Sequence, residues 1–373
     1  MKHKAEHQDY MLILLLFFST MIIAGCQVNE TGDKPPVKET NMTEKQTSKQ
    51  SIIIPLAVSE SDQIFFFGWL DAKHLLFLNH KDETLNKIFK YNIYTGEQEL
   101  FFEGEAPINN VYISPDQQYI FVQTEPSNQK WRIAIVDHKG DYILQELIDG
   151  TELAVSWNQY DPTKLLVSSF AEDWSYTSYL ISAETKNMEH ISIAEPFVHW
   201  LSPDSFVYLD WSTVGPSIVT ELKEQKKTGT AEVKKENVYF VDTFNDLMMT
   251  IGVNENHDEE ARYTFMNNDF ESVLSFSVPH LTSFSGWMVP QYAMLDKEFF
   301  YFKPEYSTDA DTYRGSFDFM ATDLETGEQT VLLEDMDNEP LSCSNKANAC
   351  LYGHYLDKVI LLDEKEVISL IKS

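Results

Sequence analysis

Positive charge is scarce in this chain. Its 373 residues carry 28 Lys and Arg against 59 Asp and Glu, a formal net charge of −31. Such a surface repels polyanions and acidic headgroups, so nucleic acid is excluded as a partner. The field favours cations, metal ions or basic proteins, solubility being its plainer consequence. Cysteine is scarce too: only Cys26, Cys343 and Cys350 occur. With His354 the last two still make too few ligands for a zinc site. Familiar catalytic signatures are missing. There is no Gly-x-Ser-x-Gly elbow, no phosphate-cradling Gly-rich loop with Lys, and His257 opens His-Asp-Glu-Glu-Ala rather than a two-histidine zinc motif. His74, His199, His280 and His354 lack a spacing that suggests a base and its orienter.

What is present begins at the amino terminus. Lys2 and Lys4 precede an apolar run from Met11 to Ile23. Thirteen helical residues rise about 20 Å, short of a ~30 Å hydrocarbon core. The run ends Ile23-Ala24-Gly25-Cys26. Small residues before a Cys suit a signal peptidase, and the tetrad resembles a bacterial lipobox. That resemblance implies a signal peptide over 1–25, diacylglyceryl transfer to Cys26 and a mature chain anchored by lipid on the extracytoplasmic face of the cell membrane. Residues 26–50 are polar, with Pro35-Pro36 and apolar side chains only at Val28, Val37 and Met42. They bury too little to offset ordering entropy and read as a tether.

From 51 to 373 the chain repeats. Asn110 to Ile113 meets a Ser114-Pro115-Asp116-Gln117 turn, followed by Tyr119 to Val122, Arg132 to Val136, a His138-Lys139-Gly140 turn and Tyr142 to Leu144. The 24 Phe, 18 Tyr and 7 Trp suit pleated strands. Trp69, Tyr112, Trp157 and Trp200 each close a first strand, at intervals of 43, 45 and 43 residues. Units of 40–45 residues with four strands are propeller blades, and the aromatic column is expected to pack between them. Trp287 extends the column after an interval of 87. Val238 to Val241 and Leu247 to Ile251 read as the outer strands of the fourth unit, with insertions at about 211–236 and 254–270. The expectation is an all-β fold, a six-bladed β-propeller of four-stranded antiparallel blades, with seven blades as the alternative. Ser51 to Ile54 is expected to add a closing strand to the last blade, since closure removes sheet edges.

Through Ile113-Ser114-Pro115-Asp116, Leu201-Ser202-Pro203-Asp204 and its Thr-Gly-Glu turns the chain resembles TolB-like and WD40-like propellers. With the lipobox it resembles more closely the YqgU-like propeller lipoproteins of Gram-positive bacteria. The likeness implies the fold and the anchor, and no catalytic residues. The Trp-Asp dipeptide of WD40 repeats is absent.

In a propeller the loops between second and third strands share a face with the blade-to-blade crossovers. Both expected insertions fall there, as do Glu105, Glu152, Glu195, Glu339, Asp309, Asp311 and Trp174. Converging carboxylates repel one another unless a cation neutralises them, and Ca²⁺ is the natural oxygen-liganded choice outside a cell. Separate solvated carboxylates are the simpler arrangement. Asp309 to Gly315 resembles the start of a Ca²⁺ loop but lacks its sixth-position Gly and twelfth-position Glu. Cys343 and Cys350, seven apart, are expected to face each other across a hairpin, which permits a disulfide outside the cytoplasm; two buried thiols are the alternative. These features predict a non-enzymatic, membrane-tethered binding module for a protein, peptide or envelope glycan. The alternative is an envelope glycan hydrolase or lyase using paired carboxylates.

Overall fold

The computed structural model describes residues 52–372 apart from 60, 82, 128, 213–216, 228, 254–259, 284 and 285. The signal peptide, Cys26 and the tether lie outside these residues. No helix occurs among those described.

Seven four-stranded antiparallel sheets follow one another along the chain. Blade 1 spans Ile64–Trp69, His74–Asn79, Lys87–Asn92 and Gln98–Glu103. Blade 2 spans Ile108–Ile113, Tyr119–Ser127, Lys130–Asp137 and Tyr142–Asp149. Blade 3 spans Glu152–Trp157, Lys164–Phe170, Tyr176–Ser182 and Asn187–Ile191. Blade 4 spans His199–Ser202, Ser205–Asp210, Thr220–Lys226 and Glu232–Val238. Blade 5 spans Phe240–Phe244, Leu247–Val253, Glu260–Asn267 and Ser272–Pro279. Blade 6 spans Tyr292–Leu295, Glu298–Pro304, Phe317–Asp323 and Gln329–Met336. Blade 7 spans Leu341–Ser344, Ala349–Tyr352, Lys358–Leu361 and Glu366–Ser369.

The all-β class and four-stranded blades expected from the sequence are present, in the number given as the alternative. Among the described residues, the stretches expected as insertions at 211–236 and 254–270 hold instead the blade strands Thr220–Lys226, Glu232–Val238 and Glu260–Asn267 of blades 4 and 5. Phe240–Phe244 and Leu247–Val253 are the first two strands of a blade of their own, not the outer strands of the fourth unit.

Strand periodicity explains the packing. Successive side chains point to opposite faces of a sheet, and each face meets a different neighbour. In blade 6, Phe299 and Tyr301 pack on Met249, Ile251 and Phe265 of blade 5. Phe300 and Phe302, between them in sequence, pack on Cys350, Tyr352 and Ile360 of blade 7. Second strands are therefore buried on both sides and read as continuous apolar runs: all but the first residue of Lys164–Phe170 are buried. Outermost strands such as Gln329–Met336 contain no buried residue.

The described residues form one apolar cluster for each pair of successive blades, and a further one in which Phe66, Phe77 and Tyr91 of blade 1 pack on Leu351 and Val359 of blade 7. The sheets thus form a closed ring. First strands of most neighbouring blades touch one another, blade 7 and blade 1 included, so they line its centre. Trp69 and Trp200, both buried, serve as inter-blade packing. The Trp200 indole N–H donates to the Ser156 carbonyl of blade 3 at 3.0 Å. Trp287 does not belong to the column. It lies in Gly286–Met288, which pairs with Leu281–Ser283 as a hairpin outside the blades, while the first strand of blade 6 is Tyr292–Leu295.

Closure at the chain ends also differs from expectation. Leu56–Ala57, not Ser51 to Ile54, pairs with Ile371–Lys372, in parallel and as a separate two-stranded ladder. Each blade is a contiguous stretch of chain.

Turn chemistry is local. Ser114 Oγ accepts from the Tyr119 amide at 2.9 Å and donates to Asp116 Oδ1 at 2.6 Å. Gly140 has φ +90°, and a Cβ there would lie 2.1 Å from the Phe101 carbonyl oxygen, so only glycine fits. Cys343 and Cys350 lie directly opposite in their hairpin and are joined by a disulfide.

Candidate functional site

The up-and-down order of each sheet carries the crossovers and the loops between second and third strands to one end of the ring. The structure distributes the predicted carboxylates over this end. Glu105, in the crossover from blade 1 to blade 2, is neutralised by Arg132 at 2.5 Å. Glu339, entering blade 7, pairs with Lys358 at 3.4 Å. Glu152 is exposed at the start of blade 3. Asp309 belongs to a two-residue strand that pairs in parallel with Leu281–Ser283, and its carboxylate accepts the Asp311 amide at 2.9 Å. Asp311 is exposed. Among the described residues no group of three or more His, Cys, Asp or Glu is placed to hold a metal ion. The donor set expected for Ca²⁺ is therefore not assembled by them.

Aromatic side chains, by contrast, do gather at this end of blades 3 and 4. Phe170, buried, closes the second strand of blade 3. Phe197 stacks on it at 5.4 Å between centroids, with Trp174 edge-on at 6.2 Å and Tyr176 tilted at 6.2 Å. The outer members stand in solvent: Trp174 is 72% exposed and Phe197 64%. A large ring left in water costs about as much as burying it would gain, roughly 1.5–3 kcal/mol for a Phe. Two such rings beside a third form an exposed apolar patch.

The scaffold under these rings is firmly bonded. Trp174 has φ +65°, uncommon for a bulky residue. Its turn is held by the Trp174 amide on the Ala171 carbonyl at 3.0 Å and by the Ala171 amide on the Ser175 carbonyl at 2.8 Å. The Tyr176 hydroxyl donates to the Ala194 carbonyl at 2.8 Å. The Ala194 amide donates to Gln225 Oε1 at 3.0 Å, so the crossover bearing Glu195 and Phe197 is tied to both blades. Trp211, 44% exposed, follows the second strand of blade 4. With Ile218, Tyr239, Phe240 and Val289 it lines a concavity of about 430 Å³.

Electrostatics at the same place is asymmetric. Asp210 accepts from Lys223 Nζ at 2.5 Å and from the Ser212 amide at 2.9 Å, and these hold its carboxyl down at about 2. Half-buried Glu195 is pushed up, by burial first and then by the Asp210 charge. Glu172, Asp173 and Glu195 have no ion-pair partner among the described residues.

One polar chain escaped the sequence reading. His199 Nδ1 lies 2.9 Å from Asp242 Oδ1, and the Tyr292 hydroxyl donates to Asp242 Oδ2 at 2.7 Å. The three residues stand on the first strands of blades 4, 5 and 6. Burial opposes ionisation of Asp242, yet the His199 and Tyr292 bonds keep its carboxyl below the usual range. A signal existed: His199 and Asp242 are one blade period apart, though only in a frame that counts blade 5. Phe197 and Trp211 were also missed, the first because it continues an apolar run into a strand.

Comparison with known proteins agrees with the propeller class. The model of the YqgU-like 6-bladed beta propeller domain matches residues 92–353. Its description counts six blades, whereas the described residues form seven four-stranded sheets. Over 365 residues, 97% of this chain and 96% of the relative, the sequence is 24% identical to the lipoprotein YqgU of Bacillus subtilis (strain 168). A crystal structure of a Listeria monocytogenes EGD-e protein superposes with a TM-score of 0.78 at 22% identity, covering 86% of this chain and 98% of that one. The β-propeller domain of the Trilobed protease from Pyrococcus furiosus gives 0.57 at 14% identity, covering 83% and 98%. These last two likenesses concern the fold alone.

Proposed function

The chain belongs to the YqgU-like propeller family, and from that footing we propose that it is a lipid-anchored, extracytoplasmic binding module. It docks a Lys- or Arg-bearing polypeptide segment on the aromatic and acidic end of blades 3 and 4. The anchor rests on Ile23-Ala24-Gly25-Cys26 and on a relative, matched over almost the whole chain, that is a lipoprotein.

One observation carries the binding reading. Trp174 and Phe197 expose their rings on the loops that carry Glu172, Asp173 and Glu195, carboxylates that no described cation neutralises, and Trp211 stands exposed after the second strand of blade 4. Ring faces attract ammonium and guanidinium groups. Carboxylates without a cationic partner complement the same charges, and a net charge of −31 steers basic partners inward.

The test uses 15-residue basic, neutral and acidic peptides on the immobilised full chain. Basic peptides bind, more weakly as salt rises, and Trp174→Ala and Phe197→Ala each reduce affinity about tenfold, close to 1.4 kcal/mol. Equal binding of basic and acidic peptides, or full affinity in both variants, contradicts the proposal. Cys26→Ala is expected to release the chain from the membrane fraction.

A second reading has its own observation. Glu195 and Asp210 are a carboxyl pair driven apart in protonation, one up and one down, the arrangement that separates acid from base in glycan cleavage. It predicts turnover of envelope glycan that Glu195→Gln abolishes.

A further inference from the structure

Lysines and arginines are few here, and half of those described have a carboxylate partner. Lys234, on the outermost strand of blade 4, pairs with Glu224 and Glu232, each at 3.0 Å. Its neighbour Lys235 has no ion-pair partner among the described residues. Of the three arginines, Arg132 binds Glu105 and Arg314 donates to the carbonyls of Asp311 and Tyr313. Arg262, on the third strand of blade 5, has no such partner among the described residues either.

These two unpaired cations line one concavity. It measures about 330 Å³ and lies between the outermost strand of blade 4 and the second and third strands of blade 5. Thr250, Thr264 and the Gly252 backbone complete its wall. Gly252 is needed for that shape, since a Cβ there would sit 3.0 Å from the Asn237 carbonyl oxygen. Glu236 stands on the same rim and pairs with neither cation. In so acidic a chain, two like charges sharing a cleft, with a carboxylate at hand and unused, repel each other unless a third group comes between them.

We infer that this cleft between blades 4 and 5 is a binding site for an oxyanion, a phosphate or carboxylate group held between the Arg262 guanidinium and the Lys235 ammonium. A guanidinium offers paired N–H donors that match two oxygens of such a group, and a lysine adds a point charge. Threonine hydroxyls suit the remaining oxygen. Half-burial and the Arg262 charge push the Lys235 ammonium below its ordinary range, the condition a bound anion would relieve. The site is separate from the aromatic end of blades 3 and 4, so one can be absent without the other.

The experiment is calorimetric titration of the purified full chain with inorganic phosphate and, separately, with propionate. The expected result is saturable one-to-one binding of at least one of them. Arg262→Gln and Lys235→Gln each weaken it tenfold or more, while Lys234→Gln leaves it within twofold. Gly252→Val, which fills the cleft without changing charge, also abolishes binding. Without anion, Lys235→Gln melts at the same or a higher temperature than the parent, because a repulsion is removed; this shows that lost binding is not lost folding. No saturable heat from either anion in the parent overturns the inference. So does equal weakening by Lys234→Gln and Lys235→Gln, which would indicate diffuse charge rather than a site.

Discussion

The Trp69 indole N–H donates to the backbone carbonyl of Ser342 at 2.8 Å, across 273 positions of sequence. It joins the first strand of blade 1 to the first strand of blade 7. Trp200 of blade 4 makes the equivalent bond to the preceding blade, at Ser156 of blade 3. The indoles therefore fill the space between blades and also satisfy a carbonyl there. Trp69→Phe keeps most of the volume and strands the Ser342 oxygen, at a cost of about 1–2 kcal/mol. Trp69→Ala adds a cavity and costs about 3–5 kcal/mol. Urea unfolding of the two variants measures both.

The chain ends contribute to the same seam. Leu56 is 4% exposed in the cluster that joins blades 1 and 7, and its amide donates to the Leu370 carbonyl at 2.7 Å. Leu56→Ala is expected to cost about 3 kcal/mol. Ile52, 81% exposed, is the control: Ile52→Ala stays within about 0.5 kcal/mol.

The Cys343–Cys350 bond closes a short loop, with a sequence separation of 7. Loop entropy for that length corresponds to about 2.5 kcal/mol. Reduction by dithiothreitol is expected to lower the melting temperature by a few degrees, and Cys343→Ala with Cys350→Ala by a similar amount. A melting curve indifferent to reductant would show that the bond contributes no stability.

Much of this architecture was legible in the sequence, and the failures have physical causes. Buried second strands such as Phe299 to Phe302 announce themselves because both faces are covered. The third and fourth strands of blade 4, Thr220–Lys226 and Glu232–Val238, do not. They are charged along most of their length, and Leu222 and Val238 are their apolar residues buried to 1% or less. Ion pairs such as Lys223 with Asp210 and Lys234 with Glu224 replace the missing apolar pattern, so the stretch resembles an inserted loop. Overlooking these two strands shifted blade 5 by half a unit, and Trp287 then fell on the period by coincidence. At the candidate site, acidity drew attention to Glu105 and Glu339, which are paired with Arg132 and Lys358. Exposure of Phe197 and Trp211 depends on tertiary placement, which the period-two pattern does not carry.

Two carboxyls at the aromatic end give opposite dependences on pH. The folded state holds Asp210 at about 2, below its ordinary value of 3.8. Its contribution is complete above the unfolded value and is lost as pH falls from about 4 through 2. Asp210→Asn is therefore destabilising at pH 6, with the deficit shrinking toward pH 2. Glu195 is raised instead. Its protonated form is the one the fold favours, so its contribution is present below the unfolded value and lost as pH rises through the folded one. Glu195→Gln should consequently raise the melting temperature at pH 7 while weakening ligand binding, the trade expected of a residue kept for function. Denaturation of parent and variants at pH 3, 4 and 6 separates the two cases.

The measurement that bears most directly on the proposed binding face is site-specific photo-crosslinking in intact cells. A photoreactive phenylalanine analogue is placed at Trp174, at Phe197 or at Lys186, the last in a turn at the opposite end of blade 3. The account predicts the same crosslinked polypeptide from positions 174 and 197, none from 186, and loss of the product when Glu172, Asp173 and Glu195 are changed to Lys. A product obtained equally from 186, or one that survives the charge reversal, would contradict it.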